Sequence, residues 1–475
     1  MELNRQIHLL GESREGVTLR LMDRCPGFEF GQQRPVVSFM QGEKSNVAMS
    51  NTIENMTIDV GTGNPGAIGL LFFANNSGAV RNVRIVSSSP TGEGFCGLEI
   101  RHEIVSGCFV SHLEVAGFDY GIRCLPLRNF MVFEAITLKN QRKVGVDIRD
   151  SIVSIRRLSI RRAAQGMRIR GCAAHVVMTD SEIVGDRPAG CAIDRQLGAC
   201  FFRNIQTAGY GSALTAAGVS VLEEGEIAEY LSEEPVSLFP SGASSLPLPV
   251  EEPPEAPVPT EADAWGCVCD YGAVGDGTHD DTEAIRRAMQ SGKPCLWFQP
   301  GRYLLNGPIE IPEHVVRVDF MYCDLIAGEA LQEAADRGAF VVRGEDRALR
   351  MERLFAWEDF HGFMRLIEHA GKRALILADL HTQAAAMYFN TVEGGKVYLE
   401  NCACTTAAFP YRQVPAFHFV GQRVWARHIN PERSMVEILN DHSRVWVLGF
   451  KTESFGSAFV TIHGGHTEVL GAPSA

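Results

Sequence analysis

No run in this chain is apolar for the length that a membrane-crossing helix needs. The opening residues, MELNRQIHLLGES, have no apolar core of the signal-peptide kind. Positive charge is in short supply: 44 Lys and Arg stand against 57 Asp and Glu, a net charge of −13. That balance argues against a nucleic-acid partner, since phosphate binding needs clustered cations. Arg156, Arg157, Arg161 and Arg162 are the local exception and read as a solvated strand face. A disulfide framework is not indicated either, because the 13 cysteines are odd in number and scattered through a long chain. Two pairs, Cys267/Cys269 and Cys402/Cys404, are closer together, but C-x-C is tighter than a structural zinc site prefers and no His-x-x-x-His accompanies it. In a strand, residues i and i+2 share a face, so these thiols read as small core side chains. The residues therefore suggest no metal and no cofactor, and the pattern suggests no membrane.

Helix-length amphipathic segments are also missing between the β-like runs of residues 1–222. These runs include Met56–Val60, Val83–Ile85, His112–Val115, Ala135–Leu138, Ile155–Ile160 and Ser181–Val184, about 21–29 residues apart. Gly, Asn and Ser lie between them, which leaves no room for the crossover helices of an α/β fold. Short strands joined by short turns predict an all-β solenoid whose coils bury their inward side chains on one another. Asn51, Asn55, Asn75, Asn76 and Asn82 suit turns that need left-handed backbone. Residues 223–263 are acidic and proline-rich and are expected to be an extended linker, free or lying along a domain surface. A second unit, 264–475, follows.

That unit opens with CVCDYGAVGDGTHDDTEAIRRAMQSGKPCLWFQPGRYLLNGPIEIP. Gly272, Gly275 and Gly277 mark tight turns, and Asp280 with Glu283 has capping-box spacing. Ala284, Ile285, Ala288 and Met289 form the apolar stripe of a short helix that Gly292 ends. Asp276, Asp280 and Asp281 are explained by turns and capping, without a cation. The stretch resembles the opening of the pectate-lyase-like superfamily. The matching residues are Asp270–Ala273, Gly275–Gly277, Asp280–Thr282, Ala284, Ile285, Pro300, Gly301 and Tyr303. The resemblance implies two right-handed parallel β-helices, the second preceded by a short capping helix. The first begins without such a helix and the chain stops soon after a strand, so both ends read as cut. If they are native, another subunit is expected to cover them.

Two such units resemble glycoside hydrolase family 55, the β-1,3-glucanase-like proteins, through Ile58–Leu70, Phe72–Val83, Val424–Glu432 and Val445–Glu453. This resemblance implies an inverting glycosidase acting on a polysaccharide or oligosaccharide in a cleft between two β-helices, in a secreted or extracytoplasmic setting. Inverting hydrolysis needs a protonated acid and a water-activating base, with carboxyl groups roughly 6.5–9.5 Å apart. The candidates are Glu453 as acid and Glu432, with Glu468 expected on a neighbouring rung. Asp59, Asn75, Asn76 and Asp119 are candidates for sugar hydroxyls. Trp357, Phe360, Tyr411, Trp425 and Trp446 are candidates for stacking. A lyase would instead use Lys451, Arg423, Arg427 or Arg444 as base, with calcium or a positive site for the uronate. A tailspike-like, non-catalytic carbohydrate binder is the third reading.

Overall fold

The structure is a computed structural model. It describes residues 2–3, 7–39, 48–101, 106–125, 130–238, 245–255, 258–334, 336–356, 364–406 and 414–472. The chain divides into two compact units, residues 1–245 with the tail from Leu470, and residues 246–469. Both are all-β and built from parallel coils.

In the first unit, successive coils stack like residues on like. Ile58 pairs with Ile85, Ile85 with Val115, Val115 with Leu138, Leu138 with Ile160, and Ile160 with Ile183. All six are buried. Each such side chain contributes about 1.5–3 kcal/mol by leaving water. Successive coils turn a corner at a residue in left-handed backbone: Asn55, Asn82, His112, Ala135, Arg157, Asp180 and Asn204. Some corners are tied by side chains, as where Asn82 donates to Asn55 at 2.8 Å and Asn204 to Asp180 at 2.8 Å. Asn76 also has positive φ, whereas Asn51 instead bridges the backbone of Ile7 and Phe73.

The last coil of this unit is closed by antiparallel pairing. Strands Val219–Leu222 and Glu226–Leu231 both fold back on Ala199–Ala216. Residues 223–263 are thus not extended linker throughout. Ile227 is buried in the first core, and Leu246–Glu255 packs within the second unit. Two side chains dock this edge strand, Ile227 buried in the core and Tyr230 packed against it.

In the second unit the described strands form three sheets, the smallest of them Asp276–Asp280, Arg302–Leu305 and Asp324–Ala327, and beyond these the chain alternates between the other two. Among the described residues, one sheet has nine strands, from Trp265–Cys267 through Leu349–Ala356, Leu375–Gln383, Lys396–Thr405, Arg423–Glu432 and Arg444–Phe450 to His466–Leu470. The other has seven, from Ile309–Ile311 to Ser457–Ile462. Spatial order follows chain order, as a solenoid requires. The helix Thr282–Met289 buries Ala284, Ile285, Ala288 and Met289 against this core. Its acidic residues act differently from a capping box. Asp280 accepts from the Thr282 backbone and hydroxyl, and Glu283 pairs with Arg286 at 2.5 Å. The buried Asp281 carboxylate accepts the Val274 and Gly275 N–H groups, tying the glycine-rich loop to the helix start.

No cysteine forms a disulfide, and Cys402 and Cys404 lie in the core. No helix among the described residues is long and apolar enough to cross a membrane.

Candidate active site

In the nine-stranded sheet, Arg353, Asp379, Asn401 and His428 take the left-handed corner. Beyond that corner the strands carry mostly polar side chains. His381 pairs with Ala403 and Ala403 with Asn430; Gln383 pairs with Thr405 and Thr405 with Glu432. Lys451 extends the ladder by one residue, its N–H donating to the Ile429 carbonyl at 3.0 Å. Core residues Cys402, Cys404, Ile429 and Phe450 alternate with these polar groups and anchor them.

The Lys451 ammonium is buried and holds two carboxylates, Glu432 at 2.5 Å and Glu453 at 2.6 Å. Glu432 is buried, while the Glu453 side chain is 66% exposed. The structure therefore brings together three of the residues singled out from sequence.

Sequence reasoning missed Glu437. It sits at the start of the strand Val436–Asp441, is 0% exposed, and accepts hydrogen bonds from the Thr452 and Ser454 hydroxyls. Its Oε2 has no hydrogen-bond partner among the described residues. Burial, reinforced by the nearby Glu432 charge, pushes its pKa up to about 7 against the opposing hydrogen bonds of Ser454, the Ser434 backbone and Thr452. Burial and the Lys451 charge push His381 down to about 3, so it is neutral. Phe455, two residues after Glu453, is fully exposed, and Met435 is exposed as well.

The other singled-out residues lie elsewhere. Glu468 does not join the cluster; its carboxylate accepts the Leu248 N–H at 2.9 Å. Trp425 and Trp446 are register neighbours but buried, and Trp425 stacks on Tyr398 at 5.0 Å. Asp59, Asn75, Asn76 and Asp119 belong to the first unit. The Asp59 carboxylate meets Ser88, Gly61 and Arg20. Burial raises its pKa, but these bonds outweigh burial and leave it below the usual carboxylate range. Asn75 and Asn76 are buried, and Asp119 is paired with Arg142 and Lys143. Trp357, Phe360 and Tyr411 lie outside the described residues. Arg156 and Arg161 of the basic stretch are engaged by Glu134, Asp180 and Glu182. Among the described residues no group of three or more His, Cys, Asp or Glu is placed to hold a metal.

A model of the family described as rhamnogalacturonase A/epimerase, pectate lyase-like, matches residues 265–318. This is the opening of the second unit, from its first strand through the helix. The match and the parallel coils together support the pectate-lyase-like right-handed β-helix superfamily. The fold is thereby compatible with a protein that acts on, or binds, polysaccharide. A search of curated proteins returns no match.

Proposed function

We propose that the second unit hydrolyses glycosidic bonds of a polysaccharide at the cluster of Glu432, Glu437, Lys451 and Glu453. The observation that carries this reading is the buried Glu437 carboxyl, which keeps its proton to about 7 near the ion-paired Glu432, in a cluster whose further carboxylate, Glu453, faces solvent. A general acid must be protonated at working pH, and environment pushing two carboxyls apart in role is how glycosidases divide acid from base. Ser454 donates to Glu437 in the resting site; when its hydroxyl turns to donate to the leaving oxygen, it accepts the Glu437 proton in exchange, so Glu437 is the net proton source. Glu453 takes a proton from the attacking water, so one water is added across the bond that breaks. The acid role moves from Glu453 to Glu437 because Glu453 already shares the Lys451 ammonium. Lys451, engaged by both carboxylates, is poorly suited to be the base of a lyase. Phe455 offers a bare ring face on which a sugar can stack. The segments resembling glycoside hydrolase family 55 make a β-1,3-glucan the first substrate to try, and an extracytoplasmic setting belongs to the same reading.

The test is incubation of the whole chain with neutral β-glucans and with uronate polymers. Reducing ends without unsaturated product are the expected outcome. Glu437→Gln should lower kcat by about 100-fold or more, the scale of a lost general acid. Activity should fall as pH rises through about 7, the value at which Glu437 loses its proton. Unsaturated product points to a lyase, and retained affinity without product points to a binding protein. An unchanged rate in Glu437→Gln removes the assignment.

A further inference from the structure

On the nine-stranded sheet, Val397, Leu399, Val424, Ala426, Val445 and Val447 point into the core. Tyr398, Trp425, Arg427 and Trp446 alternate with them and therefore point outward. An outward row of rings on a solenoid normally meets water. Here all four are 3% exposed or less. The segment Leu246–Glu255 lies over them, with neither helix nor strand and with Pro247, Pro249, Pro253 and Pro254 removing backbone donors.

Its attachments include the Leu248 N–H donated to the Glu468 carboxylate at 2.9 Å. Trp425 Nε1 donates to the Pro249 carbonyl at 2.9 Å, and Arg427 donates to the Glu251 carbonyl at 3.3 Å. Glu251 pairs with Lys396 at 2.5 Å and Arg423 at 3.0 Å, and Glu252 pairs with Arg427 at 3.2 Å. The two glutamates are 35% and 46% exposed, where solvent screening leaves such pairs weak. A small cavity of about 60 Å³ remains between strap and sheet, lined by Leu248, Pro249, Arg423, Trp425, Arg444 and Trp446. Packing is thus incomplete where the rings lie.

We propose that Leu246–Glu255 is a displaceable strap occupying in cis a binding face for an extended anionic glycan. The Tyr398, Trp425 and Trp446 rings stack against sugar faces, and Lys396, Arg423 and Arg427 receive carboxylates. The strap presents similar chemistry, a backbone without helix or strand that offers the Glu251 and Glu252 carboxylates to the same cations, and so competes with such a chain. A proline-rich segment loses little entropy on docking, which lets few contacts hold it and few contacts release it. The inference rests on the reading above only for a glycan as ligand; the anionic character comes from Lys396, Arg423 and Arg427 on this face, and departs from the neutral glucan named above. Its test is binding rather than turnover, so either can fail alone.

The experiment titrates an oligogalacturonate into the full chain, read by calorimetry and tryptophan emission. The double variant Glu251→Gln/Glu252→Gln should bind about tenfold more tightly than the parent, because the competing ion pairs are gone while the cations remain. Trp425→Ala in that background should abolish binding. Equal affinity of parent and double variant, or no binding by either with thermal unfolding unchanged, overturns the proposal and makes the strap a fixed brace. Binding of a peptide with the strap sequence but not of the oligogalacturonate overturns the glycan assignment.

Discussion

Buried ionisable residues give this protein a stability profile with opposed slopes. Glu437 titrates at about 7 in the fold against an ordinary 4.5, so the folded chain holds a proton that the unfolded chain has released between those values. Stability from this group therefore falls as pH rises from 4.5 to about 7. His381, pushed down to about 3, and His369, pushed down to about 4 by burial and Arg373, behave oppositely. The unfolded chain protonates them first, so their contribution falls as pH drops below 6.5. Between 4.5 and 6.5 the two histidines outweigh Glu437, so thermal melts should show Tm rising with pH over that range. Glu437→Gln should steepen the rise, because the opposing contribution is gone. A variant whose Tm follows the parent's slope contradicts this account of Glu437.

At the scale of the element, coils stack closely because glycines let them. Gly69, Gly97, Gly121, Gly145 and Gly166 lie in successive strands of the first unit. A methyl group at Gly145 would sit 2.6 Å from the Gly166 carbonyl oxygen and 2.9 Å from Ile160 Cδ1. Gly145→Ala should therefore cost about 1–3 kcal/mol through overpacking. At Gly190 the nearest atom is 3.4 Å away, so Gly190→Ala should stay within about 0.5 kcal/mol. Denaturant midpoints of both variants check the contrast. The corners obey another rule. Asn55 and Asn82 were legible in sequence because asparagine tolerates left-handed backbone. Ala135, Arg157 and His428 take the same conformation with no local preference for it. Coil closure imposes the bend, and the cost of about 1–2 kcal/mol per residue is carried by the stack.

For the whole molecule, 13 cysteines without one disulfide place the stability in stacked apolar rungs. Reductant should leave the thermal midpoint unchanged, and a drop on reduction would contradict the free state of the cysteines. The alternating charges on the sheet faces, such as Glu99, Arg123, Asp147 and Arg168, neutralise one another along the stack instead of forming a basic patch.

The amino-acid sequence by itself determined the coils, the opening helix and the nearness of Glu432, Lys451 and Glu453. Inward apolar residues recurring at coil spacing admit one economical burial, and residues at matching places in that repeat become neighbours. Only the tertiary structure decided what those neighbours experience. Glu437 has nothing in its local sequence to mark it; its raised pKa comes from surrounding coils that exclude water. Phe455 stands out because no coil covers it, and Trp425 and Trp446 are buried because an acidic strap does. Periodicity is a property of the string, whereas desolvation and exposure depend on what packs from far along the chain.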